Sequence, residues 1–222
     1  MSYVCRMAAI CVCDRLRAWS EFYPDRSAPA ERNAVARAVE DEWLGGFAGL
    51  DALERGEVVR LINWKFQSMA HRRALALRGV SPERWQGRDG AGELVRRALA
   101  DQDDDGALTD VCGIYRFGPA MGSVVLAACR PGRFTVADSR ALATLRRLGR
   151  MPPGTPGFRR ADWLPYLDAC RSLASLCGLS LREVDRALWV AADDPGIPDS
   201  KDWSLDGLNQ ACRSDAVALP PV

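Results

Sequence analysis

Histidine is nearly absent, lysine is scarce, and no Cys-x-x-Cys pair occurs. The chain has one histidine, His71, and two lysines, Lys65 and Lys201. Zinc sites draw on histidine and on closely spaced cysteine pairs, so little remains from which to build one. No apolar run reaches the length that spans a bilayer. The N-terminal MSYVCRMAAICVCDRL is apolar but broken by Arg6 and Asp14, and it lacks the layout of a secretory signal. Net charge is only +1, which excludes a protein that is basic over its whole surface. These absences predict a soluble, cytoplasmic protein with no metal, no cofactor and no membrane partner.

What is present is a long apolar content, a skewed charge and eight cysteines. Hydrophobic residues make up 48% of 222, enough for one compact domain or two small lobes. Most of Cys5, Cys11, Cys13, Cys112, Cys129, Cys170, Cys177 and Cys212 sit in apolar runs. Cysteine there behaves as a small buried hydrophobe, and reduced core thiols are the expectation in a cytosolic protein. Acids collect in DQDDD at 101–105 and from Asp193 onward. Residues 111–160 carry nine arginines and a single acid, Asp138, for a net +8. A local basic face is what a nucleic-acid surface needs; an ordinary solvated charge face gives the same count.

The hydrophobic pattern is helical nearly throughout. PAERNAVARAVEDEWL spaces Val35, Val39 and Trp43 four apart, behind Pro29. GLDALERGEVVRLINWKF continues with Leu50, Leu53, Val58, Leu61 and Ile62. SPERW offers Ser81 as N-cap with Pro82 at the first helical position. AGELVRRALADQ reads as a short helix. GLSLREVDRALWVAAD has a capping box, Ser180 with Glu183, and a stripe of Leu181, Val184, Leu188 and Ala191. RFTVA is extended but short, and GRMPPGTPGF at 149–158 is a linker.

The segment 106–148 breaks into a helix (GALTDVCGIY), a tight turn (RFGP), a second helix (AMGSVVLAAC), an extended approach, and a third helix opening at Asp138 (DSRALATLRRLG). A helix following a glycine turn aims unsatisfied backbone N–H groups at an anion such as phosphate. Asp138 reads either as the N-cap of its helix or as an acid held against a polyanion, and the two are compatible.

At these residues the chain resembles the helix-hairpin-helix DNA glycosylase superfamily, which includes endonuclease III and the adenine and 8-oxoguanine glycosylases. The resemblance rests on Ile114, Phe117 and Gly118 of the hairpin, on Gly122, on the apolar run Val124–Leu126, and on Asp138, twenty residues after Gly118. In several members the catalytic aspartate lies twenty residues after the last hairpin glycine and caps its helix. The match runs over 106–148 and loosely over the helical remainder. It implies an all-α fold of two helical lobes around a cleft. The regions would be 1–105, an N-terminal helical region; 106–150, the hairpin and aspartate segment; 151–193, C-terminal helices packing back on the core; and 194–222, an irregular tail.

There are two departures from the family pattern. Bifunctional members carry a Schiff-base lysine two residues after the last hairpin glycine; here that position is Ala120. The first hairpin glycine is replaced by Arg116. Cys170 and Cys177 reproduce the first spacing of the family's iron–sulfur motif, but the closely following cysteines are absent, and no cluster is expected.

The resemblance therefore implies a monofunctional DNA N-glycosylase acting as a monomer on double-stranded DNA with a flipped base. Asp138 would stabilise the sugar cation and orient water. Arg116, Phe117, Gly118, Pro119 and Ala120 of the hairpin, with Arg130, Arg133 and Arg140, would hold the DNA. INWKFQSMAHRR supplies a base pocket: Trp64 to stack, Lys65 and Gln67 to read an edge. Taken singly, Trp64 also reads as core, Lys65 as solvated and His71 as a surface residue; Lys65 as a relocated Schiff-base lysine is a further option. The rival reading is a DNA-binding or interaction protein that kept the fold and lost catalysis; a blander one is a helical domain whose hairpin match is coincidental. An Asp138 that lines an open cleft favours the enzyme, and one fully buried favours the others.

Overall fold

The computed structural model describes residues 12–194; the expectations for Cys5, Cys11, Cys212, Lys201 and nearly all of the tail fall outside them. Eleven α-helices and no strand occur among the described residues. They are α1 (Val12–Glu21), α2 (Ala30–Gly45), α3 (Arg55–Lys65), α4 (Ala70–Gly79), α5 (Pro82–Trp85), α6 (Ala91–Ala100), α7 (Asp104–Cys112), α8 (Pro119–Cys129), α9 (Ser139–Arg147), α10 (Trp163–Cys177) and α11 (Leu181–Ala191). None of them is long and apolar enough to cross a membrane.

Local chemistry sets the helix ends. Asp103 caps α7 by accepting from Gly106 N–H, and Asp104 and Asp105 add negative charge to its first turn, where the helix dipole favours it. Ser180 and Glu183 form the expected capping box on α11. Gly178 ends α10 in a left-handed conformation, φ 61°, which glycine takes without a Cβ penalty. Residues 134–137 are buried and belong to no helix; Ala137 N–H donates to Ser123 and the Val136 carbonyl accepts from Tyr166.

Two hydrophobic cores result. The first is built mainly from α3 and α6–α8, with Phe134 and Val136 of the segment between α8 and α9. Its central helix, α8, is apolar on all sides, and Gly122 lets α7 come close: a Cβ there would lie 3.1 Å from Leu108 and 3.2 Å from Val111. The second core joins α1 with α9, α10 and α11, from opposite ends of the sequence. The helix α10 belongs to both, giving Trp163 and Leu167 to one and Tyr166, Cys170 and Leu173 to the other.

Two expectations fail. Reduced thiols throughout do not hold, because a disulfide joins Cys13 to Cys177; α1 and the end of α10 pack in one core and bring the two sulfurs together, while Cys112, Cys129 and Cys170 stay free. The α2 stripe also breaks up: Val35 and Val39 are 64% and 61% exposed. A four-residue spacing advances about 40° per step on a helix, so the row rotates along α2 and only Trp43 comes to lie against the first core. The inward side of α2 is instead anchored by Asn33, which bonds Asp25, and by Glu40, which bonds Arg182 and Arg186.

Candidate functional site

Between the two cores lies a pocket of about 160 Å³. The last turn of α3 brings Trp64 and Lys65 to it, and the following loop brings Gln67 and Met69. The start of α9 brings Asp138, and α11 brings Arg182, Asp185 and Trp189. Trp64, Lys65 and Gln67 thus share one volume with Asp138, more than seventy positions further along the chain.

Asp138 does two things at once. Its Oδ1 accepts from Arg140 N–H at 2.8 Å, which caps α9. Its Oδ2 accepts from Lys65 Nζ at 3.1 Å. The pair is mostly shielded, with 11% of the Lys65 side chain and 20% of the Asp138 side chain exposed. The aspartate therefore lines an open pocket rather than being sealed beneath tryptophans. Lys65 enters as the donor of an ion pair rather than as a solvated cation.

The wall opposite is a dense polar network. Glu40 bonds Arg182 and Arg186 and accepts from the Tyr23 hydroxyl. Burial alone would raise the Glu40 carboxyl, but the two guanidiniums hold it below the usual range. Arg182 also lies 5.3 Å from the Trp64 ring and donates to Asp185. Burial pushes the Asp185 carboxyl up to about 6, against the pull of Arg182 and Lys65. The sequence reading missed Asp185, Arg182 and Trp189. A signal was there: position 185 falls on the buried stripe of α11 beside Val184 and Leu188, where an acid is out of place without a partner.

The hairpin runs from Ile114 to Pro119. Ile114 and Phe117 are buried in the first core, so Phe117 anchors the turn from inside. Arg116 adopts φ 67°, the left-handed conformation that glycine takes freely; for another residue this costs about 1–2 kcal/mol. Tyr115 is 44% exposed and flanked by two guanidiniums, Arg84 at 4.4 Å and Arg116 at 4.9 Å from its ring. Gly118 and Pro119 open α8 with no side-chain cap. The end of α4 presses on this turn, with a Cβ at Gly79 meeting the Tyr115 carbonyl. The helix α4 thus leads from the pocket mouth at Met69 to the hairpin, about 15 Å at the helical rise.

The other three arginines expected at DNA are spent within the chain. Arg130 bonds the Leu50 carbonyl and Asp51. Arg133 bonds Asp104 and the carbonyls of Asp101 and Gln102. Arg140 bonds Asp193 and sits 4.1 Å over the Trp189 ring.

Comparison with protein-family models, curated proteins and solved structures finds no match to this chain.

Proposed function

We propose that this protein is a DNA N-glycosylase of the helix-hairpin-helix type that removes a damaged or modified base by hydrolysis. The observation that carries the reading is Asp138: it caps α9 with one oxygen and presents the other to a pocket lined by Trp64, Lys65 and Gln67. A base turned out of the duplex enters that pocket and stacks on Trp64. As the N-glycosidic bond lengthens, positive charge builds on the sugar. The Asp138 carboxylate opposes it at close range in a partly dry site, where such an interaction is strong. The bonding pair leaves with the base, and water adds to the sugar carbon, losing a proton to Asp138 or to solvent.

Lys65 positions Asp138 in this reading. In this ion pair its ammonium faces the carboxylate, and an ammonium has no lone pair with which to attack. The DNA grip lies at Arg116, Gly118 and the open first turn of α8, and Tyr115 between its two arginines adds a stacking surface. The α4 path from hairpin to pocket suits a duplex held at one end and a nucleotide displaced into the other.

A second reading starts from the same 3.1 Å contact between Lys65 and Asp138 but moves the proton across it. If Lys65 passes its proton to Asp138, the free amine can attack the sugar carbon, expel the base and leave an imine that permits strand cleavage. Base release from a panel of damaged and modified duplexes, by the wild type and by Asp138→Asn, tests the shared core of both. Asp138→Asn should lower release by orders of magnitude with DNA affinity preserved. Borohydride separates them: hydrolysis leaves no trapped protein–DNA adduct, whereas amine attack leaves one that Lys65→Ala abolishes. Equal base release by wild type and Asp138→Asn would end the catalytic claim.

A further inference from the structure

The pocket holds a second carboxylate, from a different helix and in a different setting. Asp185 of α11 is 3% exposed yet lines the same volume as Lys65 and Asp138. Arg182, three residues earlier, donates to its Oδ2. Among the described residues no other donor reaches this carboxylate. Arg182 is moreover shared with Glu40 and with the Tyr23 hydroxyl. Asp138, by contrast, has a backbone amide on one oxygen and the Lys65 ammonium on the other. Two acids face one volume: one has its charge fully met, and the other is buried with part of a single guanidinium.

The charged and titratable groups around Asp185 come from every neighbouring element. Lys65 faces it from α3, Asp138 from the start of α9, Glu40 from α2, and Arg182 from its own helix. Tyr166 and Cys170 approach from α10, and Tyr23 from the segment before α2. Burial is the largest influence on the carboxyl and favours its neutral form. A carboxyl that burial holds neutral can give a proton, a role distinct from that of a second carboxyl in the same site.

We propose that Asp185 is the acid of this site, handing its proton to the departing nucleobase while Asp138 opposes the charge growing on the sugar. The inference rests on the glycosylase reading and specifies its substrate class. The C1′–N bond breaks with its electron pair going to the base. The Asp185 proton goes to a ring nitrogen or exocyclic oxygen of that base, so the base leaves neutral. Water adds to C1′ and gives up its proton to Asp138 or to solvent, and Asp185 regains a proton from solvent. Such a site suits a neutral base that leaves poorly as an anion. A base already cationic, such as an N7-alkylated purine, gains nothing from it.

The test is single-turnover base release between pH 5 and pH 8 by the full chain, as wild type, Asp185→Asn and Asp138→Asn. The probes are duplexes carrying a neutral modified base, chosen from those the wild type cleaves, and a duplex carrying N7-methylguanine. Wild-type release of the neutral base should fall about tenfold per pH unit above the Asp185 titration. Asp185→Asn keeps an oxygen for Arg182 but has no proton to give. It should release the neutral base about a hundredfold more slowly or worse at pH 5.5, with a flat profile, and show no added loss on N7-methylguanine where that base is cleaved. Wild-type release that is independent of pH over this range overturns the proposal and needs no variant to fold. So does an Asp185→Asn protein that matches wild type in rate and profile; with Asp138→Asn inactive, the glycosylase reading then survives alone. No base release from any duplex by wild type removes that reading and this inference with it.

Discussion

Asp138→Asn separates the two tasks of the aspartate. The Oδ1 bond to Arg140 N–H survives, because asparagine caps a helix about as well as aspartate, whereas alanine costs about 1 kcal/mol. What asparagine lacks is the charge against Lys65, in a pair with 11% and 20% side-chain exposure. A hydrogen bond to a charged group contributes about 1.5–3 kcal/mol. Partial exposure screens some of it, so about 1–2 kcal/mol is the expected loss. Asp138→Ala loses cap and charge together, about 2–3 kcal/mol. For a chain of this size 1 kcal/mol moves the melting temperature by about 2–4 °C, so the ranking is readable by thermal melts. Lys65→Met keeps the aliphatic stem and removes the cation. The double variant closes a cycle whose coupling should be about 1–2 kcal/mol, only weakly reduced by salt because the pair is shielded. A coupling of zero would refute the ion pair. Base release measured on the same proteins should drop equally in Asn and Ala. If release followed stability instead, falling in Ala and holding in Asn, Asp138 would be a cap and nothing more.

Asp185 makes a prediction about stability that is independent of catalysis. Its carboxyl is raised to about 6 in the fold, so its contribution is present at low pH and lost as pH rises through that value; relative to Asp185→Asn, wild type should lose about 2 kcal/mol between pH 4.5 and 7.5. Melting curves of both proteins across this window check it, and parallel curves would contradict the burial of the carboxyl. The Cys13–Cys177 disulfide closes a loop with a sequence separation of 164; chain entropy sets a ceiling of about 5 kcal/mol on its worth, so Cys13→Ala should melt well below wild type under non-reducing conditions, and peptide mapping should find this pairing. Arg116→Glu should make the salt dependence of DNA affinity shallower by about 0.9 for each phosphate contact removed. Arg133→Glu should instead lower the melting temperature, since its guanidinium holds Asp104 and two carbonyls.

Much of the helical layout was written locally. Capping signals and an apolar repeat are short-range, which is why α7, α8, α9 and α11 fall where GALTDVCGIY, AMGSVVLAAC, DSRALATLRRLG and LREVDRALWV place them. What stayed hidden needed partners far along the chain. Cys13 meets Cys177 only because α1 joins the core of α9–α11. Val35 and Val39 carry no mark that separates them from a buried stripe, because α2 is held from its other side by Glu40 and its arginines.

The site divides in the same way. Asp138, Trp64, Lys65 and Gln67 each stood out by residue type, and their meeting in one pocket depends on two helices that no spacing relates. The arginines of 111–160 show the limit of counting charge along a sequence. The acids that neutralise them lie elsewhere: Asp51 holds Arg130, Asp104 holds Arg133, Asp105 holds Arg160 and Asp193 holds Arg140. The acidic run at 101–105 and the basic stretch, which read as separate features, meet at two ion pairs, Asp104 with Arg133 and Asp105 with Arg160. A charge bonded in this way has little left for a phosphate, since contacting one would mean surrendering a partner already in place. Arg116 differs. It has no carboxylate partner among the described residues, stands at the tip of the turn, and holds a left-handed backbone that glycine would take more cheaply. Strain of this kind persists where the surroundings over-determine it, and it collects at functional positions. The physical case for a nucleic-acid contact therefore rests on this one exposed arginine beside Tyr115 far more than on the +8 of the segment that contains it.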